Sequence, residues 1–131
     1  MTTPRHGRRR REVDSFRWAA RGVRAALVRE PHLRFHAAAT VVVAVLAALV
    51  PLTPAERAAL GLAVGLVWVA ELVNTAVERL VDLVSPGFDP VAGQVKDIAA
   101  GAVLVAAVVA AGVGATVLGP ALAGWVRSAV G

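Results

Sequence analysis

Three apolar runs, each able to reach bilayer-spanning length, leave this chain little choice of fold. They cover about residues 33–50, 55–84 and 95–118. A spanning helix needs about 20 predominantly apolar residues, because the hydrocarbon core is about 30 Å thick. The first run is the shortest: its apolar part, Ala37–Val50, spans only if Leu33 to His36 are included. The breaks between runs are Pro51-Leu-Thr-Pro54 and Ser85-Pro-Gly-Phe-Asp-Pro90, both rich in turn residues. Thr53 or the Pro54 step is placed to start the second helix. In hydrocarbon every backbone polar group must be satisfied internally, so the runs are expected to be helices. Composition agrees: of 131 residues 57% are hydrophobic and only 5% aromatic, which leaves little for the polar surface of a soluble domain. The predicted fold is an all-α membrane protein with an N-terminal amphipathic surface helix and three transmembrane helices. A basic, disordered tail is expected at residues 1–14, one membrane domain at 15–120 and a short tail at 121–131, with Gly119-Pro120 interrupting the third run.

Charge orients this arrangement. Ten of the fourteen Lys and Arg residues lie within the first 34 positions. Such a terminus suits nucleic acid or anionic lipid, and the apolar runs that follow directly favour lipid. By the positive-inside rule the N-terminus is cytoplasmic. Three crossings then put 51–56 outside, 85–97 inside and the C-terminus outside. Arg8–Arg11 are followed by Glu12 and Asp14 rather than an apolar core, so no cleavable leader is expected. From Ser15 to Arg29, Phe16, Ala19, Ala20, Val23 and Leu27 share one helical face, with Arg17, Arg21 and Arg24 beside it. That pattern fits a helix lying in the headgroup layer; a soluble bundle helix is the plainer alternative. Pro31 biases Glu30 away from helical geometry and ends this segment. Cysteine is absent, which excludes disulfides and thiolate metal sites.

The second run carries acids where they are costly. A charge at the centre of a spanning helix costs about 2.5–3.5 kcal/mol on insertion scales. Glu71, Asn74, Thr75, Glu78 and Asp82 all lie on this run. At about 100° per residue they fall within about 60° of Glu71, in one stripe running down to the second loop. Asp82 and Arg79 fit a helix simply leaving the membrane. Glu71 does not, since Trp68, Val69 and Ala70 precede it and Leu72 and Val73 follow. Carboxylates in such a place need partners, and Mg²⁺ takes a few carboxylates together with substrate phosphates. Lys96-Asp97 opens the third run on the same side. Lys96 suits a phosphate as a point charge, or is a snorkelling interfacial lysine. Together these features point to a site for a metal–nucleotide complex.

The common nucleotide loops are missing: neither GxxxxGK[ST] nor GxGxxG occurs. Gly61 and Gly65 form a small-xxx-small pair that suits helix packing. His32 and His36 have i, i+4 spacing but no accompanying Glu motif, so they read as interfacial residues. Trp18 and Trp68 fit packing or interface anchoring, and Trp125 with Arg127 fits a membrane–water boundary.

The string Glu71-Leu-Val-Asn74-Thr-Ala-Val-Glu78-Arg-Leu-Val-Asp82, with Lys96-Asp97-Ile-Ala-Ala-Gly101-Ala-Val-Leu-Val, resembles the prokaryotic diacylglycerol kinase/undecaprenol kinase family. Ser15-Phe-Arg-Trp-Ala-Ala-Arg-Gly22, Glu30 and Arg34-Phe-His36 fit its pattern too, so the resemblance covers about residues 15–118. It implies an integral-membrane lipid kinase of the bacterial inner membrane, homotrimeric, with active sites between subunits at the cytoplasmic surface. ATP and a membrane lipid alcohol are the implied substrates and Mg²⁺ the implied cofactor; no nucleic acid is involved. By the resemblance Glu71 is the base on the lipid hydroxyl, and Glu30 and Glu78 hold the metal. Asn74, Lys96 and Asp97 shape the nucleotide and phosphate site, with Arg24, Asp82 and Gly93 at lipid or supporting positions. Two departures stand out: Phe88-Asp89-Pro90 has Asp89 where many members have His, and Gln94 replaces a commonly basic residue. Arg34-Phe-His36 and Asn74-Thr-Ala-Val-Glu-Arg resemble the undecaprenol branch more than the diacylglycerol branch.

Two rivals remain open at this level. A proton- or ion-conducting protein built around Glu71 also needs an ionisable residue at depth, but not Glu30 and Lys96-Asp97 grouped at one surface. A membrane adaptor tethered by Arg5–Arg11 leaves Glu71 and Asn74 without a purpose.

Overall fold

The structure, a computed structural model, describes residues 6–130, with side chains from residue 14 onward. Among the described residues there are four helices and no strand: α1 (His6–Arg29), α2 (Pro31–Leu49), α3 (Pro54–Val84) and α4 (Pro90–Val130). Three of them, α2, α3 and α4, are long and apolar enough to cross a membrane. The all-α, three-span architecture read from the sequence is thus the observed one.

Local chemistry sets the helix ends. Glu30 takes extended geometry, φ −101° and ψ 113°, ahead of Pro31 at the first position of α2, because proline crowds the residue before it. Val50 is extended for the same reason, ahead of Pro51. Thr53 then caps α3. Its hydroxyl accepts from the Glu56 N–H at 3.3 Å, and the Thr53 N–H donates to Glu56 Oε2 at 2.7 Å. This reciprocal pairing satisfies two otherwise orphaned donors. Arg57 reaches back to the last turn of α2, donating from Nη1 to the Ala47 carbonyl at 2.9 Å. At the second loop Asp89 accepts from the Val91 and Ala92 N–H groups at 2.7 and 3.3 Å, which caps α4. The residue that departs from the family pattern therefore has a structural task in this chain.

Two boundaries differ from the sequence reading. The basic segment expected to be a disordered tail is helical from His6 onward; Met1 to Arg5 and Gly131 lie outside the described residues. Arg is a good helix former, so the run from Arg8 to Arg11 extends α1 rather than ending it. The third run also continues through Pro120 to Val130. Proline removes one backbone hydrogen bond. Ending the helix there would orphan up to four carbonyls, and in an apolar setting the single loss is the smaller one.

α3 and α4 pack along one another as a hairpin, and α2 lies against α3. Leu60, Ala63, Val67, Glu71, Thr75 and Val81 are the buried residues of α3. Most are spaced by three or four and so form one face. Near the 50–53 turn, Val50, Leu60 and Leu118 make a small core with Leu46, Val113 and Val117 packed around it. Elsewhere large apolar side chains such as Val41, Leu62, Leu66, Val69, Leu104 and Val108 are exposed. A single subunit with that surface belongs in lipid or against other subunits.

Candidate active site

The buried face of α3 turns polar without changing direction. Glu71 follows Val67 by one turn and precedes Thr75 by another, and these two are the buried polar residues of the described chain, each 6% exposed. Farther along, Asn74 and Glu78 are half-buried and Asp82 is exposed. The rise of about 1.5 Å per residue puts Glu78 about 10 Å and Asp82 about 16 Å beyond Glu71 along the axis. The stripe therefore grades from an enclosed carboxylate to a solvated one.

Each level has its own partner. Glu71 Oε1 lies 3.0 Å from His36 Nε2 on α2. Asn74 donates from Nδ2 to Glu78 Oε1 at 3.0 Å. Asn74 Oδ1 is buried with no hydrogen-bond partner among the described residues. Arg79 donates from Nη2 to Glu30 Oε1 at 3.1 Å, tying the α1–α2 junction to α3. Lys96 donates from Nζ to Asp82 Oδ1 at 2.9 Å, tying the start of α4 to the end of α3. Glu71, Asn74, Glu78 and Asp82 thus share one side of α3, with Lys96 bonded to Asp82, while Glu30 is joined to the helix through Arg79. Arg24, Gly93 and Asp97 are exposed and make no polar side-chain contact with the stripe among the described residues. A Cβ at Gly93 would meet nothing within 4 Å, so packing within the subunit does not demand glycine there.

Sequence reasoning missed two members, Arg79 and His36. In the sequence Arg79 fits the helix's exit into water, yet in the structure it holds Glu30. The spacing of His32 and His36 suggests two interfacial residues, but the His36 side chain is only 19% exposed and faces Glu71; of the two, His32 alone is exposed. The available signal was Thr40, one turn beyond His36 on the same face. The Trp68 indole donates to Thr40 Oγ1 at 2.9 Å, and Thr40 Oγ1 donates to the His36 carbonyl at 2.7 Å.

Buried oxygen donors beside a carboxylate suit a hard cation such as Mg²⁺. The Asn74 carbonyl oxygen, orphaned in this structure, fits such a ligand in chemistry. No three His, Asp or Glu residues among those described cluster closely enough to hold a metal unaided. A divalent ion here would draw the rest of its shell from phosphate oxygens and water, as Mg²⁺ commonly does.

Known relatives of this chain are lipid kinases. The family model for prokaryotic diacylglycerol kinase matches residues 17–118. The chain is 39% identical over 112 residues to undecaprenol kinase of Bacillus subtilis, covering 86% of this chain and 91% of that one. It is 42% identical over 109 residues to a diacylglycerol kinase of Synechocystis, covering 82% of this chain and 62% of the relative. It is also 30% identical over 100 residues to diacylglycerol kinase of Escherichia coli K12, covering 76% of this chain and 82% of the relative. The matched span contains every polar residue of the stripe and both of its bridges to α2 and α4. The chain belongs to the prokaryotic diacylglycerol kinase family, and its activity is that of an ATP-dependent lipid kinase.

Proposed function

We propose that this kinase transfers the γ-phosphate of ATP to the hydroxyl of undecaprenol, with Glu71 as the group that accepts or orients the hydroxyl proton. The observation that carries the reading is Glu71, enclosed at 6% exposure where the buried face of α3 passes from apolar to polar. So costly a placement calls for a function. The lipid oxygen forms a bond to the γ-phosphorus as the bond from that phosphorus to the oxygen of the leaving ADP breaks. The hydroxyl proton goes to Glu71. Phosphoryl transfer depends mainly on positioning and on electrostatic stabilisation.

The rest of the stripe serves the nucleotide. Glu78 and Glu30 would hold Mg²⁺, with Asn74 hydrogen-bonded to Glu78. When bound, the ion neutralises phosphate charge. Arg79 engages Glu30, and this ion pair would have to open for Glu30 to serve as a metal ligand. Lys96 exchanges Asp82 for a phosphate oxygen in the same way. Asp97 completes the polar rim of the nucleotide site, and Arg24, Asp82 and Gly93 take lipid-side or supporting places. The Arg-rich N-terminus supports a cytoplasmic position for the stripe, at the bacterial inner membrane. A homotrimer would cover part of the exposed apolar surface, with active sites between subunits.

The preference for undecaprenol rests on Arg34-Phe-His36 and Asn74-Thr-Ala-Val-Glu-Arg, and on the nearly full-length match to the undecaprenol kinase. The test is purified protein in mixed micelles with Mg·ATP, offered undecaprenol and diacylglycerol separately. The expected result is faster phosphorylation of undecaprenol. A preference for diacylglycerol, which the 42% identical Synechocystis relative is named for, would overturn the substrate assignment while leaving the lipid kinase intact.

A further inference from the structure

We infer that His36 is the positioning residue for Glu71: it donates Nε2–H to Oε1 and fixes the carboxylate so that its second oxygen meets the lipid hydroxyl. This rests on the reading of Glu71 as the group that takes the hydroxyl proton.

Three features of the geometry carry it. First, His36 Nε2 and Glu71 Oε1 lie 3.0 Å apart in an enclosed setting, within hydrogen-bond reach, and a bond from an imidazole to a carboxylate is of the stronger, charge-assisted kind. Second, the contact occupies Oε1 alone, so Oε2 is left as an acceptor. Third, His36 is itself held in place. Its carbonyl accepts from Thr40 Oγ1, which accepts from Trp68 Nε1, and Trp68 sits one turn before Glu71. The same two helices are therefore joined at adjacent turns, once through the Trp68 indole and the Thr40 hydroxyl and once through His36 and the Glu71 carboxylate. The Phe35 ring meets the imidazole edge-on, with centroids 5.4 Å apart.

The surroundings make His36 hard to replace. The groove of about 370 Å³ that it borders is lined from α4 by Ala107, Ala110, Ala111, Gly114 and Ala115, and from α3 by apolar residues and Trp68. Trp68 spends its one donor on Thr40.

The test uses the full chain in mixed micelles with Mg·ATP and the lipid alcohol. His36→Ala is expected to lower kcat about 100-fold, the scale of a small misplacement of a reacting group, while KM for Mg·ATP stays within about two-fold of wild type. His36→Gln, whose amide nitrogen matches the reach of Nε2, is expected to recover at least about ten-fold of that loss. His36→Asn, which reaches only as far as Nδ1, is expected not to. The Gln and Asn pair decides the matter if the Ala variant fails to fold. A wild-type kcat in His36→Ala, equal impairment of Gln and Asn, or a loss confined to KM would overturn the positioning role. Glu71→Gln is measured alongside. If it is inactive while His36→Ala is normal, only the role of His36 falls; if it remains active, the reading of Glu71 falls and the role of His36 with it.

Discussion

The two ends of α3 are built on opposite principles. At the Thr53 end a capping box closes the helix, Arg57 ties back to α2, and Val50, Leu60 and Leu118 pack into a small core. At the other end the same helix face carries Glu71, Asn74, Glu78 and Asp82, and its contacts to α2 and α4 are polar. Apolar packing has no alternative partner and stays closed. Ion pairs such as Glu30–Arg79 and Asp82–Lys96 can be exchanged for a metal or a phosphate at modest cost, since exposed pairs contribute only about 0–1 kcal/mol. One end is therefore a fixed frame, and the other is a set of groups held ready for a charged ligand.

The harshest way to break that contrast is Glu71→Gln. The amide keeps the shape but cannot accept the hydroxyl proton, and positioned acid–base groups contribute about 10²–10⁴-fold to rate. Turnover is expected to fall by at least about 10³-fold, while thermal unfolding and the size of the micellar species stay those of the wild type. Activity within ten-fold of wild type would remove Glu71 from the chemistry.

Glu78→Gln is the next largest. It replaces one charged oxygen at the level of Asn74 Oδ1 and should weaken the hold on Mg²⁺ rather than abolish the reaction. The Mg²⁺ concentration for half-maximal activity is expected to rise about ten-fold, the low end of the range seen on disturbing metal sites. A magnesium titration at fixed ATP reads it. An unchanged midpoint would place the ion elsewhere.

Much of this architecture was legible in the sequence, for identifiable reasons. Spanning helices announce themselves by length and hydropathy, and prolines 31, 51 and 54 mark breaks through local sterics. The stripe on α3 was legible because residues on one helix share a fixed period. What the sequence did not reveal were the partners. His36 meets Glu71, and Glu30 meets Arg79, across 35 and 49 positions of chain, and no helical period links α2 to α3. Asp89 stood out only as a departure from the family pattern, whereas its capping bonds depend on where α4 begins. Pro120 reads locally as a helix breaker, but the number of carbonyls that a broken helix would leave unpaired is not a local property, and α4 continues through it.

The gentlest probe acts at the frame. Thr53→Ala removes the hydroxyl that accepts from the Glu56 N–H and that donates to Glu56 Oε2 at 2.8 Å. The bond from the Thr53 backbone N–H to Glu56 survives, because it needs no side chain at 53. Pro54 still presets the first turn. The expected loss is about 1 kcal/mol of stability, typical for an N-cap, read as a lowered unfolding temperature in micelles. Glu71 lies eighteen residues along the helix from Thr53, about 27 Å, and the Val50–Leu60–Leu118 core holds the start of α3 near the missing cap. For these reasons kcat and the magnesium midpoint should not move. If Thr53→Ala lowered kcat as much as it lowered stability, the first turn of α3 would be setting the position of Glu71. The division into a fixed frame and an exchangeable polar end would then give way to one mechanically continuous helix.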